Sequence, residues 1–296
     1  MPTQISLKKT EARTELKKFK DNKISLKRDV FFVPGWTDQA CICWTEPYME
    51  SGVDRRAGWE YTIKDWEYIV ENSEKMHYLQ LVENDKAINI TRDNQGKIKN
   101  ITFDSDLTYD YTSFFQFAEL IKSKIRATGV NEFDLVGHSM GGLDIISAVA
   151  LNKEDDYPEV KGLIKTDPLD GVGLVVTVAT PYKGSGPANL VKHTPIDEIF
   201  RPGWSEGVRK QCENMAYDSA FIKIINQNEI RTKLLKNAKV GVHTFSGEND
   251  GAVTSQDAFI DDANNHAPFE LVMHSQRMGI TQDPRLHFAL FNLFIS

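Results

Sequence analysis

Three residue types in this chain could together move a proton and form an acyl bond: a serine set among glycines, an acid in a turn, and a histidine further on. The stretch FDLVGHSMGGLD, residues 133–144, places Ser139 after an apolar run, Phe133, Leu135 and Val136, that reads as a short buried strand. Leu143, Ile145, Ile146, Val149 and Ala150 follow at helical spacing. A G-x-S-x-G match alone is a weak signal. Strand, sharp turn and helix in that order say more, because so tight a turn strains its central residue and needs neighbours without side chains. Gly137, Gly141 and Gly142 meet that need. Such strain has a rationale if the hydroxyl is held out for chemistry; the plain alternative is a simple strand-to-helix connection.

A serine hydroxyl is a poor nucleophile until a base takes its proton, and imidazole, which titrates near neutral pH, suits that role. The imidazole in turn needs a carboxylate on its other nitrogen, to set the tautomer and to stabilise the cation that forms. Ligands of open parallel sheets bind beyond the carboxyl ends of the strands, so the polar residues after each strand are the ones to inspect. They are PGWTDQ after the first core strand, Ser139, then TPYKGS, GENDGAV and finally His274 in VMHSQRMG. Asp250 is the first choice of acid, with Glu248 as the alternative and a purely structural turn role as the plain reading. His274 is preferred as base over His287, which lies on an apolar helix face where a core histidine is expected. His138 is expected to pack or bond beneath the turn.

The elements that must carry these residues alternate between strand and helix. RDVFFVPGW reads as a buried strand over 30–33 stopped by Pro34 and Gly35. MHYLQLVE, VGLVVTVA, KVGVHTFSG and FELVMH read as further strands. Phe114, Phe117, Leu120, Ile121 and Ile125 mark a helix stopped by Gly129, and PRLHFALFNLFI a final amphipathic helix. AINITRDNQGKIKNITF alternates on both sides of an Asn-Gln-Gly turn, which signals an inserted hairpin. Residues 37–75 carry Trp44, Tyr48, Trp59, Tyr61, Trp66 and Tyr68, expected to form a loop and a helix with mostly packing roles. Continuously apolar strands argue for a doubly wound, mostly parallel sheet covered on both faces. The expected division is a polar extension over 1–27, a core over 28–181 and 237–296, and a helical cap insertion over 182–236 with one helix around 219–230.

At 296 residues, with 41% hydrophobic and 26% charged residues, the composition is that of a soluble globular chain rather than a disordered one. The net charge of −7 and the interleaved acids of the N-terminal lysine run argue against a nucleic-acid surface, so that run reads as a solvated helix face. No apolar stretch is long enough to span a bilayer and the N-terminus lacks the apolar core of a signal peptide, so a cytoplasmic location is expected; a trimmed signal peptide would leave the same sequence. Cys41, Cys43 and Cys212 are an odd count without metal-ligand spacing and read as reduced structural thiols. DDANNH, residues 261–266, is expected to be a solvated loop, with a calcium site as the alternative. No metal and no cofactor are called for.

VPGW, YDYTSFFQFAELI, LVGHSMGGL, VATPYKGS, SAFIKIIN, GENDGAV and VMHSQRMGI, in that order, resemble the landmarks of the α/β-hydrolase superfamily in its lipase/esterase branch, over roughly residues 29 to 296. The chain order Ser, Asp, His is also that superfamily's. Two departures stand out: Pro34 occupies a position where such lipases often carry His, and 37–106 is longer than a minimal member needs. The resemblance implies a serine hydrolase acting on carboxylic esters, of lipid-like acyl chains, through an acyl-enzyme. It implies Ser139, Asp250 and His274 as catalytic residues and the backbone N–H groups of Trp36 and Met140 as oxyanion donors. It implies the Trp36 and Met140 side chains along the acyl pocket. The 182–236 segment leaves the sheet after Pro181 at the catalytic end, so with Pro181 it is expected to bring Tyr182, Trp204 and Phe221 around the substrate, with transient lipid-surface contact through the cap; an ordinary packed insertion is the plain alternative. A thioesterase, amidase or acyltransferase would use the same three residues, and a non-catalytic binding protein could share the fold.

Overall fold

The computed structural model describes residues 7–19, 22–35, 42–45, 62–79, 88–92, 98–103, 114–153, 157, 161–193, 206–274 and 279–296. Helix α1 (Lys9–Lys18) precedes strand β1 (Asp29–Val33), a short α2 (Ile42–Thr45), a 3-10 turn over Lys64–Ile69 and β2 (Met76–Tyr78). Strands β3 (Ile88–Arg92) and β4 (Ile98–Phe103) pair antiparallel as a separate two-stranded sheet, the hairpin that the alternating pattern signals; its turn, 93–97, lies outside the described residues. Then come α3 (Phe114–Thr128), β5 (Phe133–His138), α4 (Met140–Ala150) and β6 (Val172–Val178). The chain continues through α5 (Gly186–His193), α6 (Glu206–Asn214), α7 (Ala220–Ile225), α8 (Asn228–Asn237), β7 (Gly241–Phe245), α9 (Ser255–Ala258), β8 (Asn264–Asn265) and α10 (Pro284–Ile295).

Among the described residues six strands form one parallel sheet in the order β2-β1-β5-β6-β7-β8. Every residue of β5 and β6 is buried, because helices cover both faces of the central strands. Successive side chains point to opposite faces, so Phe31, Val33, Leu135 and Val175 join the core beneath α3, α4 and α8. Val30, Phe32, Val136, Leu174 and Val176 join the other, with Trp44, Trp66 and the apolar face of α10. Gly129, at φ 73, ends α3 where a stop is expected. The N-terminal lysine run presents a solvated helix face, with Lys17 and Lys18 exposed, while Ala12 and Leu16 are buried where α1 packs on α10, and Lys9 lies 3.2 Å from Asp283.

Two expected elements differ. The helix around 219–230 is two helices, α7 and α8, broken where Gln227 turns extended at ψ 139. Asn226, the last residue before the break, donates Nδ2 to the Ile222 carbonyl of its own helix at 2.8 Å and to the Tyr182 carbonyl at 2.7 Å, which ties the end of α7 to the segment after β6. FELVMH is not a strand. It makes only isolated bridges, Gly247 to Phe269 and Met273 to Gly279, and Leu271 sits at φ 55 with its N–H on Asn249 Oδ1 at 3.2 Å.

One helix residue carries a stability prediction. Asp144 of α4 is fully buried and neither carboxyl oxygen has a hydrogen-bond partner among the described residues, so burial holds its pKa well above the ordinary carboxylate value. A raised folded-state pKa contributes stability that is present below the unfolded pKa, about 3.9, and is lost as pH rises toward the folded value. Each pH unit in that window costs about 1.4 kcal/mol. Asp144→Asn keeps the shape and cannot ionise. Its melting temperature should match the wild type near pH 4 and exceed it by a widening margin as pH rises; parallel profiles would contradict the buried, protonated carboxyl.

Candidate active site

Ser139 joins β5 to α4 at φ 52 and ψ −124, a backbone conformation that L-residues rarely hold. Its N–H donates to the Val178 carbonyl at 2.8 Å, which pins the turn to the end of β6. The turn closes because Gly137 and Gly141 lack side chains: a Cβ on Gly137 would stand 2.5 Å from the Gly141 carbonyl oxygen, and one on Gly141 would run into the Pro34 carbonyl.

His274 lies in the loop after β8, not at a strand end. Its Nε2 is 2.8 Å from Ser139 Oγ and its Nδ1 is 2.8 Å from Asp250 Oδ2. A carboxylate only accepts, so Nδ1 carries the hydrogen, and the bare Nε2 accepts from the serine hydroxyl. Asp250 is held by its other oxygen, which accepts the N–H groups of Ala252 at 2.8 Å and Val253 at 2.9 Å. The Asp250 side chain has no exposed surface, whereas that of His274 keeps 18%. The hydrogen-bonded chain therefore runs from a buried carboxylate to a half-buried imidazole and on to a strained serine.

No family model matches the chain, and neither does any curated protein sequence. Among solved structures, the chain resembles the mature form of a Bacillus licheniformis lipase, with a TM-score of 0.50 at 18% identity over 92% of this chain and 93% of that one. The chain has the α/β-hydrolase fold. A Paleococcus ferrophilus monoacylglycerol lipase, 14% identical over 90% of this chain and 93% of that one, gives a TM-score of 0.42. A Bacillus subtilis carboxylesterase, 12% identical over 96% and 98%, gives 0.41.

In this α/β-hydrolase fold the other candidates fall as follows. Glu248 is exposed, with its N–H on the Phe269 carbonyl, while Asp250 faces His274. His287 is fully buried: it accepts from Trp66 Nε1 at 3.1 Å and donates to the Thr281 carbonyl at 2.7 Å, and burial lowers its pKa to about 4. It is a satisfied core histidine. Met140 is the first residue of α4, where a helix N–H has no intrahelical partner, and its side chain is buried. Trp36 and Trp204 lie outside the described residues, as do Tyr48, Trp59 and Tyr61. Pro181 is buried, and Tyr182 is packed with its hydroxyl on the Ile225 carbonyl at 2.9 Å. Phe221 packs edge-on to Phe114 at 4.4 Å between ring centroids.

In the 261–266 loop, Asp261 pairs with Lys183 at 3.4 Å and Arg231 at 3.3 Å, and Asn265 bonds Thr244 and Ile260. Among the described residues no group of three or more His, Cys, Asp or Glu could hold a metal ion, and no helix is long and apolar enough to cross a membrane. Two supports have no local signature in the sequence. Ser185 Oγ bonds the Ala252 carbonyl at 2.8 Å and so braces the turn that holds Asp250, and Asn249 caps Leu271 on the way to His274. Their partners lie 67 and 22 residues away, which no periodicity marks.

Proposed function

We propose that the chain is a serine hydrolase that cleaves carboxylic esters through an acyl-enzyme. One observation carries this reading: Ser139, His274 and Asp250 form a continuous hydrogen-bonded chain, 2.8 Å at each link, that starts from a strained turn between strand and helix. Ser139 Oγ attacks the ester carbonyl carbon while His274 Nε2 takes its proton. The carbon–alkoxide bond then breaks, and His274 returns that proton to the departing alcohol. Water repeats the sequence on the acyl-enzyme: His274 accepts its proton, the acid leaves, and Ser139 recovers its hydrogen. Asp250 keeps Nδ1 protonated and stabilises the imidazolium in each half. The oxyanion is assigned to the Met140 N–H, at the positive end of α4, and the Trp36 N–H; loss of one such donor typically costs about 2.7–4 kcal/mol.

The lipase with the similar fold makes acyl esters the first substrates to test. Residues 182–236 are assigned as a cap that selects the acyl chain and meets lipid surfaces transiently, with Trp36, Pro181, Tyr182, Trp204 and Phe221 around the substrate. A panel of chromogenic esters of graded chain length tests both parts. Wild type should turn over a band of chain lengths and Ser139→Ala should lose about 10⁴-fold or more on all of them. Retained activity in folded Ser139→Ala would reject the mechanism. Folded Phe221→Ala should shift the preferred length, and an unchanged profile would reject its selector role.

A further inference from the structure

His274 sits in no regular element, so what fixes it opposite Ser139 has to be found in individual bonds. Asp250 holds its ring, and Ile280 N–H holds the neighbouring Met273 carbonyl at 3.0 Å. The backbone of His274 itself is tied at its carbonyl oxygen, which lies 3.1 Å from Nε2 of His138. A carbonyl only accepts, so His138 donates from Nε2. Its Nδ1 is buried with no hydrogen-bond partner among the described residues. The His138 ring is confined: it tilts against the His274 ring at 5.1 Å between centroids and meets Trp44 edge-on at 6.3 Å. Gly35 leaves so little room that a Cβ there would stand 2.9 Å from His138 Nδ1. Burial first, and then the nearby His274, lower the pKa of His138 to about 3, so the side chain is a neutral donor throughout the ordinary pH range.

We propose that His138 is a positioning residue whose Nε2–H, donated to the His274 carbonyl, ties the loop carrying the base to the residue next to the nucleophile and so sets the separation of His274 Nε2 from Ser139 Oγ. This rests on the reading of Ser139 and His274 as nucleophile and base. The tether is short and direct: one peptide unit joins Ser139 to His138, and one hydrogen bond joins His138 to His274. Without it the loop could drift by an ångström with the fold intact, and a misplacement of that size can cost about 10²-fold in rate.

The test separates donor from ring. His138→Phe keeps a planar ring against Trp44 and His274 but has no donor, His138→Gln restores an N–H at similar reach, and His138→Asn carries one too short to reach. In His138→Phe and His138→Asn, kcat on a soluble ester should fall about 10- to 100-fold with KM within about threefold of wild type, and His138→Gln should recover most of the loss. The rate of fluorophosphonate labelling of Ser139 should follow the same order. If Phe cannot be accommodated, the comparison of Gln with Asn decides alone. Wild-type kcat and labelling rate in Phe or Asn, or equal losses in Gln and Asn, would overturn the tether while wild-type labelling at Ser139 leaves the hydrolase reading standing. Absence of Ser139 labelling in the wild type would instead strike the reading on which the tether rests.

Discussion

Replacing His274 by alanine should lower kcat by about 10⁴- to 10⁶-fold with the fold intact, while His287→Ala should leave kcat per folded molecule close to wild type. Residues that act as one unit fail together, so loss of the base leaves the serine hydroxyl without a proton acceptor. His274 is surface-accessible on one side, and its removal leaves Asp250 Oδ2 and the Ser139 hydroxyl without its ring while Asp250 Oδ1 keeps two backbone donors. His287 is the opposite case. Its loss leaves the Trp66 indole N–H and the Thr281 carbonyl buried without their partner, each costing about 1–3 kcal/mol. Urea midpoints and kcat per folded molecule on both variants check the pair of outcomes. A large catalytic loss in His287→Ala with a small one in His274→Ala would contradict the assignment.

Asp250→Asn should cost about 10⁴-fold in kcat with little loss of stability. The two backbone donors from Ala252 and Val253 fix which atom goes where: the amide oxygen must take the place of Oδ1, which turns the NH₂ toward His274 Nδ1. A donor there forces the imidazole hydrogen onto Nε2, the nitrogen that has to accept from Ser139. The geometry survives and the tautomer is wrong. Asp250→Ala should be as slow but less stable, because the same two N–H groups lose their acceptor. Near-normal kcat in Asp250→Asn, measured on protein with wild-type melting behaviour, would remove Asp250 from the mechanism.

The parts of the molecule legible in the sequence are those whose cause is local. Continuously apolar VGLVVTV and the alternation of Phe31 and Val33 against Val30 and Phe32 announce a sheet buried on both faces, and its described strands all pair parallel. The glycines around Ser139 announce the strained turn because they answer to contacts within a few residues and with the neighbouring Pro34 strand end. His274 and Asp250 stand out because they come late in the chain among turn residues, yet FELVMH matches a strand by its apolar run and is not one: Leu271 holds positive φ with its N–H on the Asn249 side chain. Strand β8 has no strand signature in the sequence for the converse reason, being two asparagines whose side chains bond rather than bury. The break between α7 and α8 is accompanied by a bond from Asn226 to a carbonyl 44 residues earlier, and the reach of His138 depends on a partner 136 residues later. Distances of that kind exist only once the chain has folded.

Reaction of the native protein with a fluorophosphonate, followed by mass analysis of its peptides, tests the central claim most directly, because phosphonylation needs both a nucleophile and a base within reach. One adduct per chain on the peptide holding Ser139 is expected, absent in Ser139→Ala and formed far more slowly in His274→Ala. Label on another residue, or ester turnover that continues in fully labelled protein, would contradict Ser139 as the nucleophile.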